Sequence, residues 1–562
     1  MAWDAAGNGE EGAGKEKETG PAGVESSGMN GRRTALKAGH GKTGGRFGPG
    51  AETRLARVFI GCIQKRLMPP SKSDRRTFGV HYTPTEIFSQ HIFPAIRDRL
   101  WDYCWADLFC GEGNLIFPIV ESIPAGARSR FFDQHVRMFD IDPHAVAKCI
   151  EKAQALGIAR PVCEKRIRCQ DTLEHYPDLD SEFQPFHITN PPYLYFGYIA
   201  KHEETRRHLK YFKGERAGLQ DLYQAALAGD VSARTQNMIY IIPANFLFGD
   251  SASNLVRDMV LSRYRLRKAI VFEKKIFEQT GTNVLIAFFE RKESASPEPQ
   301  TVHYLKFNSK VHERTIELKK ENHWRSGGAY DEYISKSPKN RERFSFYLLM
   351  KDVRAAPGKN PLTLIDSSQY DKSDYRRVKA SVSDELYARI NSNPVWVRTV
   401  DTGTEEGLAG FYDVNESFGA EGIVVGSDFT YRTSPIQVFA EPALDQSRAK
   451  FLRLWSNGLL QYLREKTDGE FLTTFKYSES SYTRKYLGLK QAKAILQSCP
   501  LGLGEKEREK LLRLLAEKRY AEAFALSIPD PERSDAAQIM GRTEKPAARS
   551  RTCLQSSLLD AS

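Results

Sequence analysis

Seven short apolar runs between Trp105 and Lys292, separated by stretches with helical periodicity, constrain this chain more than any other feature. Residues 105–109, 136–141, 166–169, 186–189, 238–242, 268–272 and 284–289 carry the β-branched, aromatic and aliphatic residues of strands. Residues 143–156 and 251–262 space their apolar positions as helices do. Strand and helix alternating this often predict an α/β fold, a mainly parallel sheet covered by helices on both faces. In such a fold ligands bind at the carboxyl ends of the strands.

Past Lys292 the pattern changes. Residues 301–307, 395–400, 422–425 and 429–439 look like strands without regular helices between them, and 447–466 and 505–526 look like helices. A second domain of mixed α+β character is expected over 296–528, after a first domain over 51–295. Fourteen of the 41 glycines fall in the first 50 residues, which hold almost no Leu, Ile or Val. That stretch cannot bury enough apolar surface to offset the entropy of ordering and is expected to be disordered. Leu55, Val58, Phe59 and Cys62 recur at helical spacing among Arg54, Arg57, Lys65 and Arg66, an amphipathic pattern with a basic face or simply a solvated one. Residues 529–562 turn polar again and are expected to fray.

Charge and cysteine usage narrow the class. No apolar run approaches the roughly 18 residues a membrane span needs, so no membrane association is expected. The net charge of +11 favours a polyanionic partner. Eight cysteines are scattered with no C-x-x-C pair and no histidines at ligand spacing, which predicts a reducing compartment and no metal. The first residues carry Gly and acidic side chains in place of a secretory signal, so a cytoplasmic protein is expected.

Three acids and a glycine loop sit where strands end. In Asp107-Leu108-Phe109-Cys110-Gly111-Glu112-Gly113-Asn114, two glycines allow a tight turn close to a ligand. The third glycine of a dinucleotide fingerprint is absent, since Ile116 fills its place. Asp107 suits a cationic ligand group better than a pyrophosphate. Asp140 ends the next strand and can accept both hydroxyls of a ribose. Asp142, before Pro143, fits the N-cap of a helix. Asp171 follows the third strand and could accept from an exocyclic amine, or be a turn residue.

Asn190-Pro191-Pro192-Tyr193, directly after the fourth strand, is the most specific signal. At ordinary proline usage such a tetrapeptide arises by chance in roughly 0.02 of chains this long. An aromatic amine is a poor nucleophile because its lone pair is delocalised into the ring. Two acceptors aimed at its hydrogens, the Asn190 side-chain oxygen and the Pro191 carbonyl, push the nitrogen towards tetrahedral geometry and free that pair. Proline stiffens the acceptor's backbone and gives up only a donor. Tyr193 offers a flat face for stacking.

These motifs, in this order, resemble the S-adenosylmethionine-dependent DNA adenine-N6 methyltransferases of type II restriction-modification systems, specifically the gamma class. Gly79-Val80-His81-Tyr82-Thr83-Pro84 is similar to the cofactor motif preceding the Gly loop in that class. Asp221-Leu222-Tyr223 and Ile241-Ile242-Pro243 resemble its later motifs, and Phe277 stands where the family carries an aromatic residue against the flipped base. The resemblance covers residues 79 to about 291. It implies a Rossmann-like methyltransferase domain that binds S-adenosyl-L-methionine through Tyr82, Thr83, Asp107, Phe109, Gly111, Gly113, Asp140, Ile141, Asp171 and Asn190. It implies catalysis by Asn190, Pro191, Tyr193 and Phe277, and a C-terminal target recognition domain. Asp140 stands where many relatives have Glu, a change that a ribose acceptor tolerates.

The implied activity is site-specific methylation of a flipped adenine in double-stranded DNA by a monomer, with a separately acting restriction endonuclease as companion. The 78 residues before Gly79 are read as too few for a fused nuclease. The same tetrad serves methyltransferases of RNA bases or protein glutamine, which is the alternative. Lys201, Arg206, Arg207, Lys210, Lys213 and Arg216 in the insert after Tyr193 could line a DNA channel or form a solvated loop. Phe475, Lys476 and Tyr477, with Tyr482, Arg484, Lys485, Tyr486 and Lys490, interleave aromatic and basic residues. That pattern suits a DNA-binding surface or a buried segment with snorkelling cations.

Overall fold

The seven apolar runs fall in one sheet, with 166–169 at its edge. The computed structural model describes residues 83–273, 283–307, 311–371, 374–401, 407–426, 434–474 and 485–527. Strands β1 (Tyr103–Asp107), β2 (Val136–Asp140), β3 (Ile167–Cys169), β4 (Gln184–Thr189), β5 (Asn237–Pro243), β6 (Tyr264–Phe272) and β7 (Val284–Arg291) occupy the runs. All of β1 is buried, as is all of β5 after its first residue. Two further strands, β8 (Gln300–Phe307) and β9 (Val311–Leu318), complete a sheet of order β3-β2-β1-β4-β5-β7-β6-β8-β9. Strands β1 to β5 are parallel, in a Rossmann-like α/β arrangement. β7 lies antiparallel between β5 and β6. Residues 273–283 are shorter than the dozen or so that a parallel crossover takes, which forces the return.

Helices α1 (Ala125–His135), α2 (Pro143–Ala155), α3 (Leu222–Ser232) and α4 (Asn254–Leu261) connect the strands. Asp142 caps α2 by accepting from the His144 amide at 3.0 Å. The stretch expected to be one helix over 251–262 is a 3-10 turn, Ser251–Ser253, running into α4. The chain fills β1, β2 and β3 in one direction and then crosses to β4 on the other side of β1. That reversal opens a crevice at the carboxyl ends of β1 and β4. Both motif-bearing turns therefore meet there.

The sheet does not stop at residue 295. β8 pairs in parallel with β6 from Ala269 to Phe272, and Val302, Tyr304, Leu318 and Trp324 fill the same hydrophobic core as β1 to β7. Each such burial contributes roughly 1.5–3 kcal/mol, and a domain's whole stability is about 5–15 kcal/mol. A chain truncated after Arg291 should therefore lose its cooperative thermal transition, whereas one domain ending at 295 predicts a melt within a few degrees of the full chain. Near-ultraviolet circular dichroism during heating separates the two.

A second core begins at Tyr330 and centres on Trp455 and Phe524. It combines α and β as expected, with the strands Arg343–Phe346, Ile436–Glu441, Val395–Arg398 and Gly410–Asp413 in one sheet. A long hairpin, Pro357–Asp371 with Asp374–Val382, adds Gly422–Val424 in another. Helix α5 (Gln446–Thr467) is the one expected over 447–466. The helix expected over 505–526 is two, Glu505–Ala516 and Tyr520–Ala525. Lys518 takes φ 56° between them, and the amides of Lys518 and Arg519 close the first helix on the carbonyls of Leu515 and Leu514.

Buried charges join the two cores. Lys306 on β8, wholly buried, lies 3.1 Å from a Glu273 oxygen at the end of β6 and 2.6 Å from Asp468 beyond α5. Lys485 reaches the same Glu273 oxygen at 2.9 Å and donates to the Asp468 carbonyl at 2.9 Å. Burial works to raise the Glu273 pKa, but Lys485 and Lys306 hold it below the usual carboxylate range. Nearby Glu470, which accepts from the Ser326 hydroxyl at 2.6 Å, is pushed up to about 8 by burial. Lys485, read from the sequence either as one cation of a DNA-binding surface or as part of a buried segment, belongs to an internal ion cluster, as in the second reading. No helix among the described residues is long and apolar enough to cross a membrane. The N-terminal tail and basic helix, the segment 475–484 and the polar C-terminal tail lie outside the described residues.

Candidate functional site

The glycine loop is folded by the neighbouring strand end. The Cys110 amide donates to the Phe139 carbonyl at 2.8 Å. Gly111 then donates to Asp140 Oδ2 at 2.8 Å, and Asp142 donates to Asp140 Oδ1 at 2.9 Å. Asp140 thereby ties the loop after β1 to the turn after β2, and its remaining lone pairs can still accept. Burial raises its pKa, against the pull of the two amides. Gly113 has φ +79°, and a Cβ there would lie 2.3 Å from the Phe117 ring. No side chain can replace its hydrogen without moving that ring. Ile141, beside Asp140, is 60% exposed, an apolar surface at the crevice rim.

Asp107 at the tip of β1 is buried and accepts from the Thr189 hydroxyl at 2.6 Å and the Phe109 amide at 3.1 Å. Burial pushes its pKa up to about 7, with those two donors pulling the other way. This bond joins positions 82 apart in the chain, and no local pattern announces it. The adjacent β4 end carries Asn190. Its side-chain nitrogen donates to the Thr83 hydroxyl at 3.1 Å, and its oxygen accepts from the Tyr193 hydroxyl at 2.5 Å. Thr83 is buried, and its carbonyl accepts from the Asn114 side chain at 3.0 Å. The Tyr193 hydroxyl also faces the Ile241 carbonyl at 2.7 Å, so its single proton is shared between two oxygens, and the Tyr193 ring lies at right angles to that of Tyr223 with centroids 6.4 Å apart. Asp221 caps α3 and accepts from the Leu194 amide at 2.9 Å, which anchors the tetrad's exit.

The structure thus brings Thr83, Asp107, Phe109, Gly111, Gly113, Asp140, Ile141, Asn190, Pro191 and Tyr193 together at the carboxyl ends of β1, β2 and β4. Asp171 has other partners. Its Oδ2 accepts from the Tyr211 hydroxyl at 2.6 Å and from Lys210 at 3.0 Å, and its Oδ1 from the Glu174 amide at 3.2 Å. Burial would raise its pKa, but the Tyr211 hydroxyl and the Lys210 ammonium hold it below the usual range. Lys210 of the insert is paired with Asp171 and Glu174, and Arg216 donates to the Leu173 carbonyl. Lys201, Arg206, Arg207 and Lys213 are exposed. Tyr82 and Phe277 lie outside the described residues.

Comparisons of the chain with known proteins find likenesses among solved structures alone. No family model matches it, and no curated protein matches its sequence. It is similar to a nuclease-deletion mutant of the Type ISP restriction-modification enzyme LlaGI in complex with a DNA substrate mimic. There the TM-score is 0.42 and the identity 10%, over 82% of this chain and 48% of that one. It is also similar to the type IIG restriction endonuclease BpuSI, with TM-score 0.34 and 12% identity over 82% of this chain and 65% of that one. A third likeness is to the type I restriction-modification system methyltransferase subunit from Streptococcus thermophilus, with TM-score 0.27 and 15% identity over 40% of this chain and 47% of that one. The chain spans less than two thirds of the length of each of these three.

Proposed function

We propose that this chain is a site-specific DNA adenine-N6 methyltransferase, with S-adenosylmethionine as cofactor and duplex DNA as substrate. One observation carries the reading: the Asn190 carboxamide stands at the end of β4, adjacent to a glycine loop whose strand end presents Asp107 and whose neighbour presents Asp140. The donor set suits the cofactor. A carboxylate at 140 can accept ribose hydroxyls, Ile141 offers an apolar face to a base, and Asp107 favours a cationic group. S-adenosylmethionine would supply an electrophilic methyl on a sulfonium.

This chain's own residues do the rest. Asn190 and the Pro191 carbonyl accept from the two hydrogens of an exocyclic amine and keep its lone pair pointed at the methyl donor. No strong general base is needed, because the proton becomes acidic only once nitrogen carries the methyl. A net charge of +11 favours the polyanionic substrate. In this reading the region beyond the first core is the target recognition part, and Phe277, in the stretch between β6 and β7, is assigned by the resemblance to the flipped base. A monomer in the cytoplasm, with a separate restriction endonuclease as companion, belongs to the same reading. The test is transfer of labelled methyl to duplex DNA, digestion, and identification of the nucleoside. N6-methyladenine is the expected product; methylated cytosine, methylated RNA alone or methylated protein glutamine overturns the reading.

The buried Asp107 gives this reading a pH signature. With a pKa of about 7 in the free protein, it is mostly protonated at pH 6, and a cationic ligand selects the carboxylate. Cofactor affinity should then rise about tenfold from pH 6 to pH 8 and level off above, with proton release on binding at the lower end. Calorimetry in buffers of differing ionisation heat reads both. Asp107→Asn should flatten the profile, and a flat wild-type profile removes Asp107 from the cationic subsite.

A further inference from the structure

The Tyr193 side chain is built for more than stacking. It is only 8% exposed, its ring lies at right angles to that of Tyr223, and its hydroxyl is turned inward to two oxygens that share its proton, Asn190 Oδ1 and the Ile241 carbonyl. A phenylalanine would supply the same stacking face without a buried hydroxyl to satisfy. An asparagine carboxamide, for its part, rotates in a broad, roughly two-fold torsional well and has no preferred direction of its own. Its acceptor points at a substrate only if neighbours hold it. Here one neighbour takes each end: the Tyr193 hydroxyl bonds the oxygen and the Thr83 hydroxyl bonds the nitrogen. Thr83 is itself held, because its carbonyl accepts from Asn114 in the glycine loop. The loop and the tetrad are thus joined through one threonine.

We infer that Thr83 and Tyr193 are positioning residues whose hydroxyls clamp the Asn190 carboxamide and so set the rate of methyl transfer. The inference rests on the proposed function for its substrate. Each hydroxyl acts on the reacting amine through Asn190, so its removal affects the chemical step and leaves DNA binding alone.

Two nearly isosteric substitutions test this, Tyr193→Phe and Thr83→Val, each assayed under single-turnover and steady-state conditions on duplex DNA. Each should lower kcat about tenfold, the equivalent of about 1.4 kcal/mol, with KM for DNA unchanged. Thr83→Ser, which keeps the hydroxyl, should recover most of the rate lost in Thr83→Val. In an Asn190→Ala background neither substitution should slow the residual rate further, since its route of action is gone. Unchanged kcat, a rise in KM alone, or the same loss in both backgrounds overturns the clamp. If the wild-type chain methylates no adenine, the substrate reading falls and a second measurement still decides the clamp. The Asn190 side-chain amide resonances, identified by their loss in Asn190→Ala, should shift in both Tyr193→Phe and Thr83→Val. Resonances unmoved by either change overturn the clamp whatever the substrate.

Discussion

Replacing Asn190 with Ala should cut methyl transfer to adenine by about 100-fold or more while leaving cofactor affinity nearly intact. As the amine nitrogen gains its methyl, positive charge grows on it, and an oxygen aimed at its hydrogens is bound more tightly in the transition state than in the ground state. Asn190 stands at the carboxyl end of β4 with its carboxamide held between two hydroxyls, so that oxygen is oriented before substrate arrives. The preorganisation is what the substitution removes. Asn190→Asp should be milder because it keeps an acceptor, although it replaces the donor to Thr83 with a second oxygen. Labelled-methyl transfer under single turnover, with cofactor titration in parallel, reads both quantities. An unaffected rate with normal cofactor binding would take Asn190 out of the chemistry.

Asp140→Ala should weaken S-adenosylmethionine binding by about 1.5–3 kcal/mol, roughly 10- to 150-fold. Two losses combine. The carboxylate that would accept the ribose hydroxyls disappears, and the amides of Gly111 and Asp142, now bonded at 2.8 and 2.9 Å, lose their acceptor. Asp140→Asn keeps one oxygen but sets a side-chain nitrogen against one of those amides, so it should bind only slightly better than Ala. Asp142→Ala is the contrast. Asp142 caps α2, and its loss should cost about 1 kcal/mol of stability with little change in affinity. Calorimetry in which both variants bind alike would mean that Asp140 shapes the loop without touching the ligand.

What could be read in advance was whatever repeats or caps locally. Strands β1, β2 and β5 are buried on both faces, and that doubles their apolar content into unbroken runs such as 238–242. Asp142 before Pro143 announced a helix start, and α5 announced itself by periodicity. The break at Lys518 was hidden because the apolar positions on either side of it keep helical spacing, and only the left-handed backbone there separates the two helices. The run 301–307, which is β8, was expected in another domain and β9 was not read as a strand, because a half-exposed edge alternates, and nothing within eight residues says which sheet an alternating strand will join. The site divides the same way. Asp140 and Asn190 were legible from their place at strand ends. The bonds Thr189 to Asp107 and Asn190 to Thr83 link positions 82 and 107 apart, and Lys485 found carboxylates in place of phosphates. Such pairings exist only once the sheet order has brought distant segments together.

The ion cluster at the junction of the two cores limits how this chain can be recombined. An exchange of its C-terminal half for a foreign one would leave Lys306, wholly buried, and Glu273 without Asp468 and Lys485. Lys306 and Glu273 would keep each other, but a foreign half that supplies only an anion or only a cation beside them leaves one buried charge in excess, and an uncompensated buried charge costs about 3–5 kcal/mol, a large share of a domain's stability. A viable chimera must therefore carry a matching anion and cation at those two places, or replace all four charges with apolar residues at once. The crossover point for swapping halves is set by four side chains spread from 273 to 485, and no single cut in the chain respects it.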